Sequence, residues 1–373
     1  MSIPDTENNV PSTVPAEPTV TDVPTAVPTR AGTRHHERRD RRVAIGLWSV
    51  LVLGGVVLCS FAAVTDRVVV PARAAMFLGG IVVTYVGASR LCRVVMGRVG
   101  DLTWWLSIAW LVLLALAALS APLLPLREWV DVSNTLDAPS YAGIDLGSAH
   151  PLGTNNFGLD LLARSVYGAR TSLIVALSAI AIGTVVGGAV GIVAGYFRRT
   201  VDRVVGVATN AVLAVPPLIL LIALAAVLEP NVGNIAVALS LLTIPSMVRL
   251  ARANTMAFAE REFVVAAQAM GASRWWVMGR ELLPNVLLPM LSLAMVMISV
   301  LIVAEASLSF LGLGIPPPQP TWGNMIAEGQ GGVFEQHPHI VLVPGAFLFL
   351  TVFAFNLVGE KARNRWDPRS GQL

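Results

Sequence analysis

The chain has 373 residues, of which 55% are hydrophobic and 13% charged, with a mean hydropathy of +0.69. A soluble domain carries about 25% charged residues, so this composition excludes a water-soluble globular fold for most of the chain and makes lipid its solvent. The formal net charge of +3 does not point to nucleic acid, because the basic residues lie in short blocks beside apolar runs, the pattern of signals that orient membrane helices.

Residues 1–29 are rich in Pro, Thr, Val and acidic residues and follow neither a helical nor a strand period. Such a segment cannot bury a core and reads as a disordered tail. Arg30, Arg34, Arg38, Arg39, Arg41 and Arg42 follow it. This block reads as a topology signal that keeps residues 1–42 in the cytoplasm, with a lipid-binding or regulatory patch as the alternative. No early apolar stretch leads to a small-residue cleavage site, so no cleaved signal peptide is expected.

A spanning helix needs about 20 apolar residues. Eight runs qualify as candidates: 43–65, 74–97, 103–126, 171–197, 204–228, 232–250, 286–310 and 339–360. An even number returns the chain to its starting side. Arg90, Arg93 and Arg98, then Arg198, Arg199 and Arg203, then Arg249, Arg252, Arg261, Arg274 and Arg280, and finally Lys361, Arg363, Arg365 and Arg369 all fall in segments this topology puts inside. The segments 66–73, 127–170, 229–231 and 311–338 are then outside, with Arg67, Arg73, Arg127, Arg164 and Arg170 as exceptions to the charge bias.

Pro216-Pro217 in the fifth run and Pro245 in the sixth predict bends, since each removes a helix hydrogen bond. Gly183, Gly187, Gly191 and Gly195 recur every four residues in the fourth run. That spacing puts them near one helix face and predicts close packing rather than a lining of a path.

Several chemistries find no support. Cys59 and Cys92 sit inside apolar segments, which argues against a disulfide framework or a metal site. Lys361 is the only lysine and no Gly-rich phosphate loop surrounds it, so ATP, if used, is bound elsewhere. Ser307, Ser309, His150, His337 and His339 form no recognisable nucleophile-base set, and no metal is expected at the histidines. Paired intramembrane carboxylates are lacking, which weighs against a proton-driven carrier.

Two groups of residues carry candidate function. Residues 252–285 are a polar, small-residue segment between two membrane-length runs. Ala266, Ala267, Ala269, Gly271 and Ala272 would let another protein approach the backbone closely, with Phe263, Val264 and Met270 as apolar grip and Arg274 as a charge; by composition alone an ordinary cytoplasmic connector is the equal alternative. Trp275 and Trp276 have the character of interfacial anchors. The second group, Arg170, Pro216, Pro217, Glu305 and Asn356, comprises candidates for a translocation path or gate. An intramembrane carboxylate such as Glu305 is costly and faces a cavity or a partner, or it caps a neighbouring helix or lies at the outer interface; Asn356 and Asn210 read first as helix–helix hydrogen bonders.

Four segments together resemble the C-type permease subunit of dipeptide/oligopeptide ABC importers, in the type I, binding-protein-dependent family. They are His150-Pro-Leu-Gly-Thr-Asn-Asn-Phe-Gly-Leu-Asp160 running on to Tyr167-Gly-Ala-Arg170; the segment around Val265-Ala266-Ala267, Gly271 and Leu283-Pro284; Glu305-Ala-Ser-Leu-Ser-Phe-Leu-Gly-Leu-Gly-Ile-Pro-Pro-Pro318 with Trp322-Gly-Asn324; and Pro344-Gly345 through Phe355-Asn356 to Asp367-Pro368. The resemblance covers roughly residues 100–373. The chain departs from the family pattern at Val265, where the motif begins with Glu, at Glu281, where His is frequent, and in the two apolar runs that precede the family core.

The resemblance implies an all-α polytopic membrane protein, with a six-helix permease core in 101–373 and an extra N-terminal transmembrane hairpin in 43–100. It implies that Glu262, Phe263, Val265, Ala266, Ala267, Met270, Gly271, Ala272, Arg274, Leu283 and Pro284 dock an ATPase. It further implies a second homologous permease, two P-loop ATPase subunits that hold ATP and Mg while this chain binds no cofactor, and an extracellular or periplasmic solute-binding protein. The expected setting is a bacterial cell membrane and its lipids, with both termini cytoplasmic. The solute is a di- or oligopeptide; nickel chelates, glutathione-like solutes and an ion-driven carrier are the alternatives.

Overall fold

A computed structural model describes residues 44–58, 60, 70–96, 101–135, 137–145 and 147–366. The expectations for the 1–42 tail, for Cys59 and for Asp367-Pro368 lie outside the described residues. The chain divides into two compact units, Met1–Gly100 and Asp101–Leu373.

In the first unit, α1 (Ala44–Leu58) and α2 (Val70–Met96) pack together through glycine. A Cβ on Gly87 would lie 2.9 Å from Val52 Cγ2, so these helices approach where no side chain intervenes. The Arg90 guanidinium lies 5.5 Å from the Trp48 ring centroid and adds a cation–π contact across the pair.

The second unit is a helical bundle. Its elements are α3 (Leu102–Ser120), α4 (Leu161–Phe197), α5 (Arg199–Ala214), α6 (Pro217–Ala225), α7 (Val232–Phe258), α8 (Glu262–Ala269), α9 (Arg274–Trp276), a π-helical turn (Val277–Leu282), α10 (Leu283–Phe310), α11 (Trp322–Ala327), α12 (Val333–Gln336) and α13 (His339–Trp366). Five stretches are long and apolar enough to cross a membrane: Leu102–Leu123, Leu161–Phe197, Val232–Phe258, Arg274–Phe310 and His339–Asn364. The pair α5–α6 makes a sixth if its two arms count as one span. Among the described residues there is no strand, only an isolated bridge between Thr154 and Asp160.

The expected bend at Pro216-Pro217 is a break of 86° between α5 and α6. Val215 and Pro216 are extended there, as the residue before a proline prefers, and Pro217 opens α6 at its first position. By contrast α7 continues as helix on both sides of Pro245, which is buried within the packed part of the bundle. The fourth run begins ten residues earlier than its apolar stretch suggests, at Leu161 rather than 171. The Asp160 side chain caps this start, accepting from the Ala163 N–H at 2.7 Å, and Leu161 and Ala163 are fully buried.

The glycine stripe of α4 lies against α7. A Cβ on Gly187 would sit 2.6 Å from Met247 Cβ, one on Gly191 2.6 Å from Ala251 Cβ, and one on Gly195 2.8 Å from Thr255 Cβ. The stripe is therefore a packing seam. Leu239, Met247, Met290, Leu301 and Ile302 close the core among α4, α7 and α10. On the far side of α10, Ser299 donates to Asn356 Oδ1 at 3.0 Å and joins it to α13, while the Trp110 indole of α3 donates to Thr351 Oγ1 of α13 at 3.1 Å.

Helix α4 has 37 residues, a length of about 55 Å at 1.5 Å per residue, against a hydrocarbon core of about 30 Å. It therefore projects beyond the lipid and connects two non-membrane ends. At its N-terminal end Trp322 of the 311–338 segment donates to Ser165 O and Asn155 bonds to Glu328, and at its C-terminal end Tyr196 accepts from Gln268 of α8.

Candidate functional site

At the C-terminal end of α4, Arg198 and Arg199 have φ of 53° and 49°, the left-handed region that non-glycine residues enter at a cost. This reversal turns the chain sharply from α4 into α5. It also sends the Arg198 side chain to Glu260, with Nη2 2.7 Å from the carboxylate. Deeper along α5, Asp202 pairs with Arg252 of α7, one of the two bonds measuring 2.8 Å, and Arg249 donates to Asn210 at 2.9 Å. The end of α7 is thereby tied to α5 just before the chain enters α8.

Helix α8 is short and two-faced. Val264 and Ala267, three residues apart, are 0% and 4% exposed and pack inward. Glu262, Phe263, Val265, Ala266 and Met270 are exposed, Met270 at 83%. Two residues that the sequence offered as docking contacts, Val264 and Ala267, thus belong to this chain's own interior. Val264 shares one core cluster with Val277, Met278 and Leu282 of the π-helical turn, all buried. Ala272 is half-buried against the same cluster.

Gly271 ends α8 with φ of +87°, and no neighbouring atom lies within 4 Å of where its Cβ would be. Its N–H reaches Gln268 O and the Ala272 N–H reaches Ala267 O, both at 3.0 Å, a helix-closing arrangement that needs a left-handed residue. Ser273 then caps α9 through the Trp276 N–H at 3.3 Å. Arg274 lies 6.0 Å from the Phe197 ring centroid and Trp275 packs edge-on to the same ring at 5.9 Å. Gln268 donates to the Tyr196 hydroxyl at 3.3 Å. Tyr196, Phe197, Arg198, Glu260, Gln268 and Arg274 line a cavity of about 410 Å³. Leu283 and Pro284 open α10 and are exposed. Segment 262–284 therefore begins with an exposed helix braced from behind by the end of α4 and by a π-helical turn, a form frequent at functional sites.

The opposite end of α4 has a different character. His150 Nδ1 and Asp160 Oδ2 are 3.0 Å apart, Asn155 Oδ1 accepts from the N–H groups of Phe157 and Leu159 at 3.0 Å, and Gly153 and Gly158 take φ of +87° and +74°. This motif is a folded turn. It joins the 311–338 segment through Glu328, which accepts from Asn155 at 3.1 Å and from Arg164 at 2.5 Å. Burial pushes the Glu328 carboxyl above its ordinary range, opposed by the Arg164 guanidinium. Trp322 is fully buried and its indole donates to Ser165 O at 3.1 Å; Tyr141 stacks on His337 at 4.3 Å. Sequence reading missed Arg164 and Glu328, because 164 residues separate them and each looks alone like a stray charge.

The path candidates do not converge. Glu305 is 0% exposed, and its two oxygens accept from Ser172 and Ser309, both at 2.7 Å. It ties α4 to the last turns of α10 rather than facing open space. Asn356 is joined to Ser299. Pro216 and Pro217 are exposed at the α5–α6 break. Arg170 is exposed and lines a cavity of about 260 Å³ with Trp129, Tyr167 and Gln319.

Residues 187–371 match the family described as the binding-protein-dependent transport system inner membrane component. The glutathione transport system permease protein GsiD of Pectobacterium atrosepticum is 33% identical over 66% of this chain and 83% of its own length. The dipeptide transport system permease protein DppC of Alkalihalophilus pseudofirmus is 34% identical over 68% of this chain and 82% of its own. A chain of the inward-facing methionine ABC transporter MetNI superposes with a TM-score of 0.45 at 21% identity, over 56% of this chain and 96% of that one. With a bundle of membrane-length helices and relatives matched over most of their length, the chain belongs to the family of binding-protein-dependent ABC importer permeases, multi-pass subunits of the inner membrane.

Proposed function

We propose that this permease subunit takes up di- or oligopeptides by alternating access, driven by partner ATPases that press on the exposed face of α8. The exposed row Phe263, Val265, Ala266 and Met270, set over the buried pair Val264 and Ala267, is the observation that carries the reading. A force-transmitting element must be rigid towards its own bundle and open towards its partner, and α8 has both faces. Movement there reaches α4 through Gln268–Tyr196 and Arg198–Glu260. A coupling element shifts a conformational equilibrium only through contacts that differ between the states, and the small outward residues permit such contacts.

ATP and Mg belong to the two partner ATPases, and this chain supplies neither nucleotide site nor catalysis. A second homologous permease completes the path, its counterpart surface including the exposed Pro216 and Pro217. A solute-binding protein delivers the peptide at the folded N-terminal end of α4. Both chain termini then lie in the cytoplasm. The peptide reading draws on the dipeptide permease relative; the 33% identity to a glutathione permease favours a glutathione-like tripeptide as the second reading. Co-expression with partner ATPase, permease and binding-protein subunits, purification and reconstitution in vesicles tests the assignment. Labelled dipeptide should enter in an ATP-dependent manner, and Ala266→Trp should abolish entry while leaving the permease pair assembled. ATP-independent entry, or full entry with Ala266→Trp, contradicts it.

A further inference from the structure

The cavity beside Arg170 is built unlike its surroundings. Arg170 lies nine residues inside the start of α4 and 27 residues before its end at Phe197, a rise of about 40 Å. With the Phe197 end at the cytoplasmic surface, Arg170 sits near the opposite headgroup level, because the hydrocarbon core spans about 30 Å. Among the described residues its guanidinium has no hydrogen bond or ion pair, and no carboxylate lines the cavity. The nearest acid in sequence to the cavity wall, Glu128, is held within its own turn. One oxygen accepts from the N–H groups of Trp129, Val130 and Asp131 at 3.0, 3.1 and 3.0 Å, and the other from Asn134.

The walls are fixed. Trp129 stacks on Tyr167 with centroids 3.8 Å apart and planes 10° from parallel. Gln319 is anchored through its carbonyl, which accepts from Asn324 at 2.9 Å, and its amide reaches Thr171 Oγ1 at 3.5 Å. Ile174 and Val232 supply an apolar floor. A volume of about 260 Å³ is smaller than the roughly 300–1,000 Å³ of sites that enclose a whole drug-sized ligand. It suits one end of a solute: a negatively charged group beside an apolar side chain.

We propose that this cavity is a carboxylate subsite of the translocation path, in which Arg170 holds the C-terminal carboxylate of a peptide while Trp129, Ile174 and Val232 receive its last side chain. This deepens the peptide-permease reading and rests on it. Arg presents a planar fork that matches a carboxylate in a bidentate manner, and a permanently charged group without an internal acid partner is free to do so. A lipid phosphate has the same anionic chemistry, and the experiment separates the two.

The assembled complex is reconstituted in vesicles of phosphatidylcholine alone and in vesicles that also contain phosphatidylglycerol. Uptake of labelled dialanine and of dialanine amide is measured, each at a concentration that saturates the binding protein. The binding protein is the same throughout, so a change in the acid-to-amide ratio on substitution isolates the permease. Arg170→Gln should lower dialanine uptake by about ten- to a hundredfold, the range for losing a hydrogen bond to a charged group, and should bring the acid-to-amide ratio towards one in both vesicle types. Arg170→Lys should recover part of the uptake. An unchanged ratio with Arg170→Gln overturns the carboxylate subsite and leaves the peptide reading standing. An effect confined to vesicles with phosphatidylglycerol assigns the cavity to lipid phosphate and also overturns it. If the unsubstituted complex moves neither dialanine nor longer peptides under ATP, the peptide reading itself falls, and the subsite with it.

Discussion

Val264 and Val265 are neighbours in the chain and face opposite ways: Val264 is 0% exposed in the bundle core and Val265 is 55% exposed on the outside of α8. The pair separates folding from coupling. Val264→Thr buries a hydroxyl without a partner and should destabilise the bundle by about 1–3 kcal/mol, read as a lower melting temperature of the detergent-purified permease. Val265→Arg should leave that temperature within a few degrees and reduce solute-stimulated ATP hydrolysis in the complex. The same melting loss for both, with coupling intact, would mean that α8 has no outward role.

Gly271 is required for its backbone rather than for its surroundings, since φ is +87° and its missing Cβ would meet open space. A β-branched residue there should cost about 1–2 kcal/mol in the left-handed region and turn α8 away from its brace on α4. Asn enters that region more readily. Gly271→Val should therefore lose ATP-driven uptake while Gly271→Asn keeps most of it, with membrane insertion of both confirmed by protease protection.

The α4–α7 seam leaves no space for side chains. At Gly187 and Gly191 an added Cβ would lie 2.6 Å from Met247 Cβ and from Ala251 Cβ, so the helices must move apart. Gly191→Val should destabilise the bundle by about 1–3 kcal/mol or more. Gly206→Ala, at a position with nothing within 4 Å, serves as the control and should be neutral or slightly stabilising in thermal denaturation.

Glu128 gives the 128–131 turn an acid limit. Its carboxyl is held below the ordinary value of 4.5, first by the Asp131 N–H, against the opposing effect of burial, and then by the Val130 N–H, the Asn134 amide and the Trp129 N–H. A depressed folded pKa contributes stability that is present above 4.5 and is lost as pH falls through the folded value. Hydrogen exchange at the Val130 and Asp131 amides should accelerate in that acid window beyond the intrinsic trend. Glu128→Gln should show faster exchange at neutral pH and no such window.

Much of the bundle was legible in the sequence because each cue was local. Apolar length marked the core helices, Pro216-Pro217 marked the α5–α6 break, and the four-residue glycine period marked the α4–α7 seam. The extension of α4 back to Leu161 was not, since Asp160 caps a stretch that carries Arg164 and Ser165 and looks too polar for a span. Pro245, unlike Pro216-Pro217, does not interrupt its helix and lies buried inside α7. Around α8, residue types gave the small and apolar positions, but an eight-residue helix has too few turns to announce its inward face. Val264 and Ala267 therefore read like Val265 and Ala266. Glu305 looked like a path residue because the hydroxyls that occupy it come from Ser172 and Ser309, one of them on another helix.

Site-directed photo-crosslinking from α8 in the assembled, ATP-hydrolysing complex examines the coupling claim most directly. With Cys59 and Cys92 replaced by serine, a photoreactive group is attached to Met270→Cys, which is 83% exposed in the unsubstituted chain, and separately to Leu119→Cys, 78% exposed on the membrane helix α3. The account predicts a strong adduct between position 270 and an ATPase subunit, changing in yield between nucleotide-free and ATP-bound states, and none from position 119. An active complex in which position 270 labels no ATPase subunit would contradict it.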